Sequence, residues 1–276
     1  MEILTSAQNP RIKFLLQLQQ KSSLRRQTGL FVVEGQREVM HCIESGLQLD
    51  TVFYCPSIMN ATDTDTLHRS NADVDAQRLL QAASCKVEVS PELYAKIAYR
   101  EGTEGIVATV LDKPLKLTDL QLSDNPLVMV LERVEKPGNL GAILRSADAC
   151  AADAVIVCDP LTDLHNPNLI RSSIGAIFSV PCVACTSEEC ITFLKEKGIQ
   201  ILTAQLQDSH LYYDTPMDVP TAIVMGTEAT GLTPQWRKAA DAHIRIPMLG
   251  QLDSLNVSVS AAILLYEAVR QRSLLK

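Results

Sequence analysis

The sequence predicts an α/β protein. Its C-terminal part is a mostly parallel sheet with helices on both faces, preceded by a small α/β domain. Three observations carry that expectation. Short apolar runs without alternation, such as Val128-Met129-Val130-Leu131, Val155-Ile156-Val157-Cys158 and Ala222-Ile223-Val224-Met225, read as strands buried on both faces. Stretches of helical length separate such runs, as crossover connections require. Glycines and short polar residues collect just beyond strand ends, around Gly138, Gly226 and Gly250. Open parallel sheets bind ligands at such places.

The first domain spans residues 1–111. Asn9-Pro10 opens an amphipathic helix over 10–20, because Asn caps and Pro suits the first turn. Phe31-Val32-Val33-Glu34-Gly35 reads as strand and turn, and Arg37–Glu44 as helix. Further strands are expected at Thr51–Tyr54, Lys86–Val89 and Gly105–Leu111, with a helix opened by Ser90-Pro91 and a polar loop at 60–75. Residues 112–125, from about Lys113-Pro114 to Asn125-Pro126, form the linker. The second domain, 126–276, has strands near 127–131, 154–158, 180–184, 199–204, 221–225 and 242–246. Its last helix is expected to be capped by Asp253 or Ser254, with Val257, Ala261, Leu264, Leu265 and Ala268 facing the core and Asn256 just inside.

With 276 residues, 46% of them hydrophobic, the chain can bury two modest cores. A net charge of −7 argues against a protein held to nucleic acid by overall charge. Arg11, Lys13, Lys21, Arg25 and Arg26 nevertheless form a basic run with no acid among them. It is either one solvated helix face or a phosphate-contacting surface. Most of the eight cysteines sit among apolar residues and read as reduced thiols. Cys182-Val183-Ala184-Cys185, with Cys190 beyond, finds no second pair to complete a zinc site, so no metal is expected. A polar start after Met1 and the lack of a long apolar segment suggest a cytoplasmic protein.

Three polar stretches carry the chemistry. The first runs from Glu132 through Asn139-Leu140-Gly141 to Arg145, with Arg145 expected on nearly the same helix face as Asn139, able to reach back to the loop. The bland alternative pairs Arg145 with Asp148 or Asp153. The second, Gly226-Thr227-Glu228-Ala229-Thr230-Gly231-Leu232, brackets a carboxylate with glycines at a strand end. The third, Ile246-Pro247-Met248-Leu249-Gly250 followed by Asp253-Ser254-Leu255-Asn256-Val257-Ser258, gathers amides and polar side chains at a helix start.

Together they resemble the SpoU (TrmH-like) RNA ribose 2′-O-methyltransferases of the SPOUT superfamily. The family's Asn-x-Gly-x-x-x-Arg is matched by Asn139, Gly141 and Arg145, and its Gly-x-Glu-x-x-Gly-Leu by Gly226, Glu228, Gly231 and Leu232. Its Ile-Pro-Met-x-Gly…Ser-Leu-Asn-Val-Ser is matched between Ile246 and Ser258. Ser172-Ser173-Ile174-Gly175-Ala176 is similar to a segment the family carries between the first two motifs, whereas Thr227 stands where Asn is common. The Phe-Val-Val-Glu-Gly run and Gly105-Ile106-Val107-Ala108 resemble the family's L30e-like substrate-binding domain.

The resemblance implies S-adenosylmethionine as methyl donor, a deep C-terminal trefoil knot and a homodimer. It implies ribosomal RNA as substrate, with transfer RNA the alternative. It also assigns a catalytic role to Arg145, with Asn139, Glu228, Ser254 and Asn256 orienting the reactants. The donor is expected against Thr203, Ala204, Gly226, Glu228, Ile246, Met248, Ser254, Leu255 and Asn256. A charged Arg145 that grips phosphate and stabilises a developing alkoxide is chemically easier than a neutral guanidine acting as base. RNA contacts are expected from Arg11, Lys13, Lys21, Arg25, Arg26 and Arg145.

Two other readings compete. In a nucleotide-dependent oxidoreductase, Gly138-Asn139-Leu140-Gly141 would hold phosphates and Asp159 a ribose, but Leu140 replaces the middle glycine. A non-catalytic RNA-binding or ribosome-assembly protein has no need for Asn139, Arg145, Glu228, Ser254 and Asn256 together.

Overall fold

The computed structural model describes residues 3–59, 78–99, 104–226 and 231–273. The expected loop at 60–75, together with Thr227 and Glu228, lies outside the described residues. The chain divides into two compact units, residues 1–113 with His165–Phe178, and residues 114–164 with 179–276. A division at the linker alone does not capture this, because an excursion of the C-terminal half is counted with the first unit.

In the first unit, α1 (Pro10–Gln20) is capped by Asn9, whose side chain accepts from the Arg11 amide at 2.9 Å. Ile12, Leu15 and Leu18 are buried at helical spacing, as the amphipathic pattern requires. Next come α2 (Ser22–Thr28), β1 (Leu30–Glu34) and α3 (Gln36–Glu44), then β2 (Leu49–Tyr54) and α4 (Pro56–Met59). After β3 (Cys85–Glu88), α5 (Pro91–Ile97) is capped by Ser90, and β4 (Ile106–Leu111) ends the series. The sheet order is β1-β4-β2-β3, antiparallel except for β2 on β3. Within this unit, α7 (Pro167–Ser173) packs on β1, and His165 stacks on Phe31 with ring centroids 4.1 Å apart.

The basic run does not behave as one surface. Arg25 is only 5% exposed, and its guanidinium donates to the carbonyls of Leu18 and Gln19 at the end of α1. It closes carbonyls that a helix end leaves unpaired. The expectation of an RNA contact is therefore corrected for Arg25, which is structural. Arg11, Lys13, Lys21 and Arg26 are exposed, with Arg11 also 3.8 Å from the Cys85 sulfur.

The second unit holds a seven-stranded sheet in the order β7-β6-β5-β10-β8-β11-β9, parallel throughout. Its strands are β5 (Leu127–Glu132), β6 (Ala154–Cys158), β7 (Cys182–Cys185), β8 (Gln200–Ala204), β9 (His210–Leu211), β10 (Thr221–Met225) and β11 (Ala242–Arg245). Six were legible as apolar runs. The two residues of β9 are too short to show a pattern.

Every residue of β5, β6 and β10 is buried, because helices cover both faces. After the short α8 (Ala176–Ser179) in the chain, α9 (Ser187–Glu196) and α10 (Pro234–Ala239) lie on one face and contribute Cys190, Leu194 and Trp236 to a core with Val128, Val130, Ile156 and Val224. Elsewhere α6 (Pro137–Ala149) packs along α11 (Val257–Ser273) with their apolar residues buried, α6 also contacting β6 and α11 contacting β10. No helix among the described residues is long and apolar enough to cross a membrane.

Candidate active site

Parallel strands end at the same edge of a sheet, so the polar segments after β5, β8, β10 and β11 converge there. A cleft of about 390 Å³ opens at that edge. It is lined by the ends of β8 and β10, by Gly231 and Leu232, by Ile246 and Met248 beyond β11, and by Asp253, Ser254 and Leu255 before α11. Of the expected donor-binding residues, Ala204, Gly226, Ile246, Met248, Ser254 and Leu255 line it. Asn256 does not line it, and neither does Thr203. The Thr203 side chain is fully buried in the sheet, with Oγ1 2.6 Å from His243 Nδ1. Glu228 lies outside the described residues.

Gly226 is a glycine for a steric reason. A Cβ there would stand 2.5 Å from the Gly231 carbonyl carbon and 2.6 Å from the Leu232 nitrogen. The two ends of the glycine-bracketed segment thus touch backbone to backbone. Just beyond, Thr233 donates from its amide (2.8 Å) and its hydroxyl (2.6 Å) to the carboxylate of Glu132, at the end of β5. Glu132 is 1% exposed, and Ser187 Oγ stands 3.3 Å from its Oε1. Ser187 in turn accepts from Trp236 Nε1 and donates to Asp159. This buried network fixes the exit of the second motif.

Glu132 opens the first polar stretch in the sequence, but nothing there assigns it this role. A lone acid ending an apolar strand was its only signal.

The third motif departs from expectation at its cap. Asn256, not Asp253 or Ser254, is the N-cap of α11. Its Oδ1 accepts from the Ser258 amide at 2.8 Å, and its carbonyl accepts from Ser260. Asn is a poor interior residue because its side chain competes for nearby amides, and a cap uses that competition. The same side chain donates through Nδ2 to Asn139 Oδ1 at 3.2 Å, joining the first and third motifs. Ser254 Oγ donates instead to Asp253 at 3.2 Å.

Arg145 lies on α6 beyond Asn139, exposed, and outside the cleft lining. Six residues are about one and two-thirds helical turns, so Arg145 points roughly a third of a turn away from Asn139. The expectation that the two share a face is corrected. The bland pairings are not seen either. Asp148 accepts from Ser179, and Asp153 accepts from the amides of Ser123 and Leu127.

Other cleft residues were not foreseen. Gln205, Leu206 and Gln207 follow the end of β8, Arg237 comes from α10, and Arg245 ends β11. Arg245 donates to the Ser209 carbonyl and so holds the 205–209 turn. Gln205 Oε1 is buried without a hydrogen-bond partner among the described residues. The strand-end rule alone could have pointed to Gln205–Gln207. The oxidoreductase reading loses its support here. Asp159 is engaged by Ser187, and the cleft opens around β8, β10 and β11 instead of between β5 and β6.

The second unit thus presents a glycine-cradled cleft at the strand ends of a parallel α/β sheet, a layout that many different activities share. Comparison with known proteins makes the assignment specific. Residues 126–266 match the SpoU rRNA Methylase family, and residues 9–108 match the MRM3-like substrate binding domain. The chain belongs to the SpoU rRNA methylase family. It is 27% identical over 266 residues to the Bacillus subtilis (strain 168) 23S rRNA (guanosine(2553)-2′-O)-methyltransferase RlmP, covering 96% of this chain and 98% of that protein. A crystal structure of an RNA 2′-O ribose methyltransferase superposes with a TM-score of 0.81 at 35% identity, covering 99% of this chain and 100% of the other. The SpoU methyltransferase AviRb from Streptomyces viridochromogenes, solved in complex with the cofactor AdoMet, gives a TM-score of 0.83 at 28% identity, covering 96% and 99%.

Proposed function

We propose that this protein transfers a methyl group from S-adenosylmethionine to a ribose 2′-hydroxyl of ribosomal RNA. The observation that carries the reading is the cleft, in which residues of the second and third motifs meet at strand ends. Family membership and the AdoMet complex of AviRb support it. The cleft also fits the donor on its own terms. Its volume is that of a small-molecule site. The Gly226 cradle leaves room where any side chain would intrude, and Gln205 Oε1 is a buried acceptor in want of a donor. Arg237 and Asp253 offer opposite charges to a ligand that carries a carboxylate, an ammonium and a sulfonium.

When bound, the donor supplies an activated methyl group. The protein's share is placement and charge. Ala204, Gly226, Ile246, Met248, Ser254 and Leu255 hold the donor. Asn139 and Asn256 lock the start of α6 to the start of α11, and Glu228 belongs to the same group of orienting residues. Arg145, an exposed cation, grips the RNA phosphate and stabilises charge developing on the 2′-oxygen. Arg11, Lys13, Lys21 and Arg26 contribute phosphate contacts from the first unit, which selects the RNA.

Three further features belong to this reading. The C-terminal segment forms the family's trefoil knot. The active form is a homodimer, for which the exposed Leu249, Leu252, Val259 and Tyr266 supply an apolar surface. The enzyme works in the cytoplasm.

The test is incubation with radiolabelled S-adenosylmethionine and unmodified RNA, followed by fractionation. Label in ribosomal RNA that survives alkali as a resistant dinucleotide is expected. Label confined to transfer RNA would replace the substrate, and no donor binding by calorimetry would overturn the reading.

A further inference from the structure

Among the described residues, one cluster of metal-ligating side chains lies apart from the cleft. The sulfurs of Cys158, Cys185 and Cys190 all stand within 4.8 Å of one another. The topology explains why. Cys158 and Cys185 end the adjacent parallel strands β6 and β7, directly opposite each other in register. Cys190 enters from the first turns of α9, which begins as soon as β7 ends. All three are free thiols, with Cys158 and Cys190 fully buried and Cys185 half-buried. They face the core beneath α9, at the β7 edge of the sheet, whereas the cleft lies across β8, β10 and β11.

Cys182-x-x-Cys185 is not the chelating pair. Both residues lie on one strand, and residues three apart on a strand point to opposite faces. The pair is Cys185-x-x-x-x-Cys190, whose spacing suits a zinc-binding turn, and the third ligand comes from Cys158 on the neighbouring strand.

We propose that Cys158, Cys185 and Cys190 bind one zinc ion that staples β6, β7 and α9 together, with solvent at the fourth position on the exposed side of Cys185. Three thiolates around a metal at about 2.3 Å would stand roughly 4 Å apart, a small contraction of the existing cluster. Binding releases the three thiol protons to solvent as three zinc–sulfur bonds form. An all-sulfur donor set selects a soft cation. A dication is favoured over Cu(I), because three thiolates in an apolar core, beside the sequence-adjacent Asp159 and Glu189, leave excess negative charge. The site is structural and independent of methyl transfer.

The test titrates the reduced, metal-free full chain with Co(II), then displaces it with Zn(II). One Co(II) per chain, sulfur-to-cobalt charge-transfer absorption and displacement by equimolar Zn(II) are expected. Cys185→Ser should weaken binding by at least about tenfold, since even outer-shell losses cost that much. Cys182→Ser should leave the titration unchanged. Absence of charge-transfer absorption in reduced, folded protein would overturn the proposal, as would its full retention in Cys185→Ser. Should the variant fail to fold, alkylation of the wild type decides. Zn(II) must protect Cys185 while Cys150 reacts unchanged, and equal reactivity of Cys185 with and without zinc would refute the site.

Discussion

Removal of the Glu132 carboxylate should loosen the second motif and weaken donor binding, although Glu132 does not line the cleft. In Glu132→Ala the Thr233 amide and hydroxyl lose their acceptor, while Ser187 keeps Asp159 Oδ2 at 2.6 Å. Hydrogen bonds to a charged group are worth about 1.5–3 kcal/mol each. Relief from burying the carboxylate returns part of that sum. The net cost should be about 2–4 kcal/mol. In Glu132→Gln one oxygen still accepts from the Thr233 amide, and the Thr233 hydroxyl can turn to accept from the new amide group. That variant should cost about 1 kcal/mol, the value of an ordinary hydrogen bond. Urea unfolding gives both numbers, and calorimetry with S-adenosylmethionine should show weaker binding in the alanine variant alone. Equal stability of the two variants, or an alanine variant with wild-type stability and affinity, would refute the assigned role.

Further outcomes follow from other contacts. Gly226→Ala places a Cβ 2.5 Å from backbone that cannot rotate away, so it should cost about 1–3 kcal/mol and depress donor affinity, as seen by unfolding and calorimetry. Arg25→Ala should lower stability without changing the salt dependence of RNA binding. Arg26→Ala should leave stability intact and reduce the salt slope by about 1. The Arg270 guanidinium, with help from Gln271, holds the Glu267 carboxyl below its usual range. Its stabilising contribution is therefore present above the unfolded carboxyl pKa and lost as pH falls through the lower folded value. Glu267→Gln should flatten that acid limb in a stability–pH profile, and an unchanged limb would sink the assignment.

The strands of the second unit were readable because burial on both faces forces continuous apolar runs, as in β5, β6 and β10. The motifs were readable as residue types, because cradles need glycine and caps need short polar side chains. What one chain's pattern could not show was direction and partnership. The sequence pattern puts Asn256 just inside the last helix, and its place as cap shows only in its bonds to Ser258 and Asn139. Arg25 looked like its basic neighbours until its guanidinium was seen turned onto the carbonyls of α1. The excursion His165–Phe178 was invisible, since a helix carries no mark of which unit it will join. The thiol cluster escaped for the same reason. Cys158 lies far from Cys185 in sequence and opposite it only in the sheet.

In the proposed mechanism this chain binds a methyl donor in the cleft and uses Arg145 only for the RNA-dependent step. The most direct test compares wild type and Arg145→Ala for donor affinity and for methyl incorporation into ribosomal RNA. Equal affinity and abolished incorporation are expected of the variant. Full incorporation by Arg145→Ala, or loss of donor binding with it, would refute this division of roles.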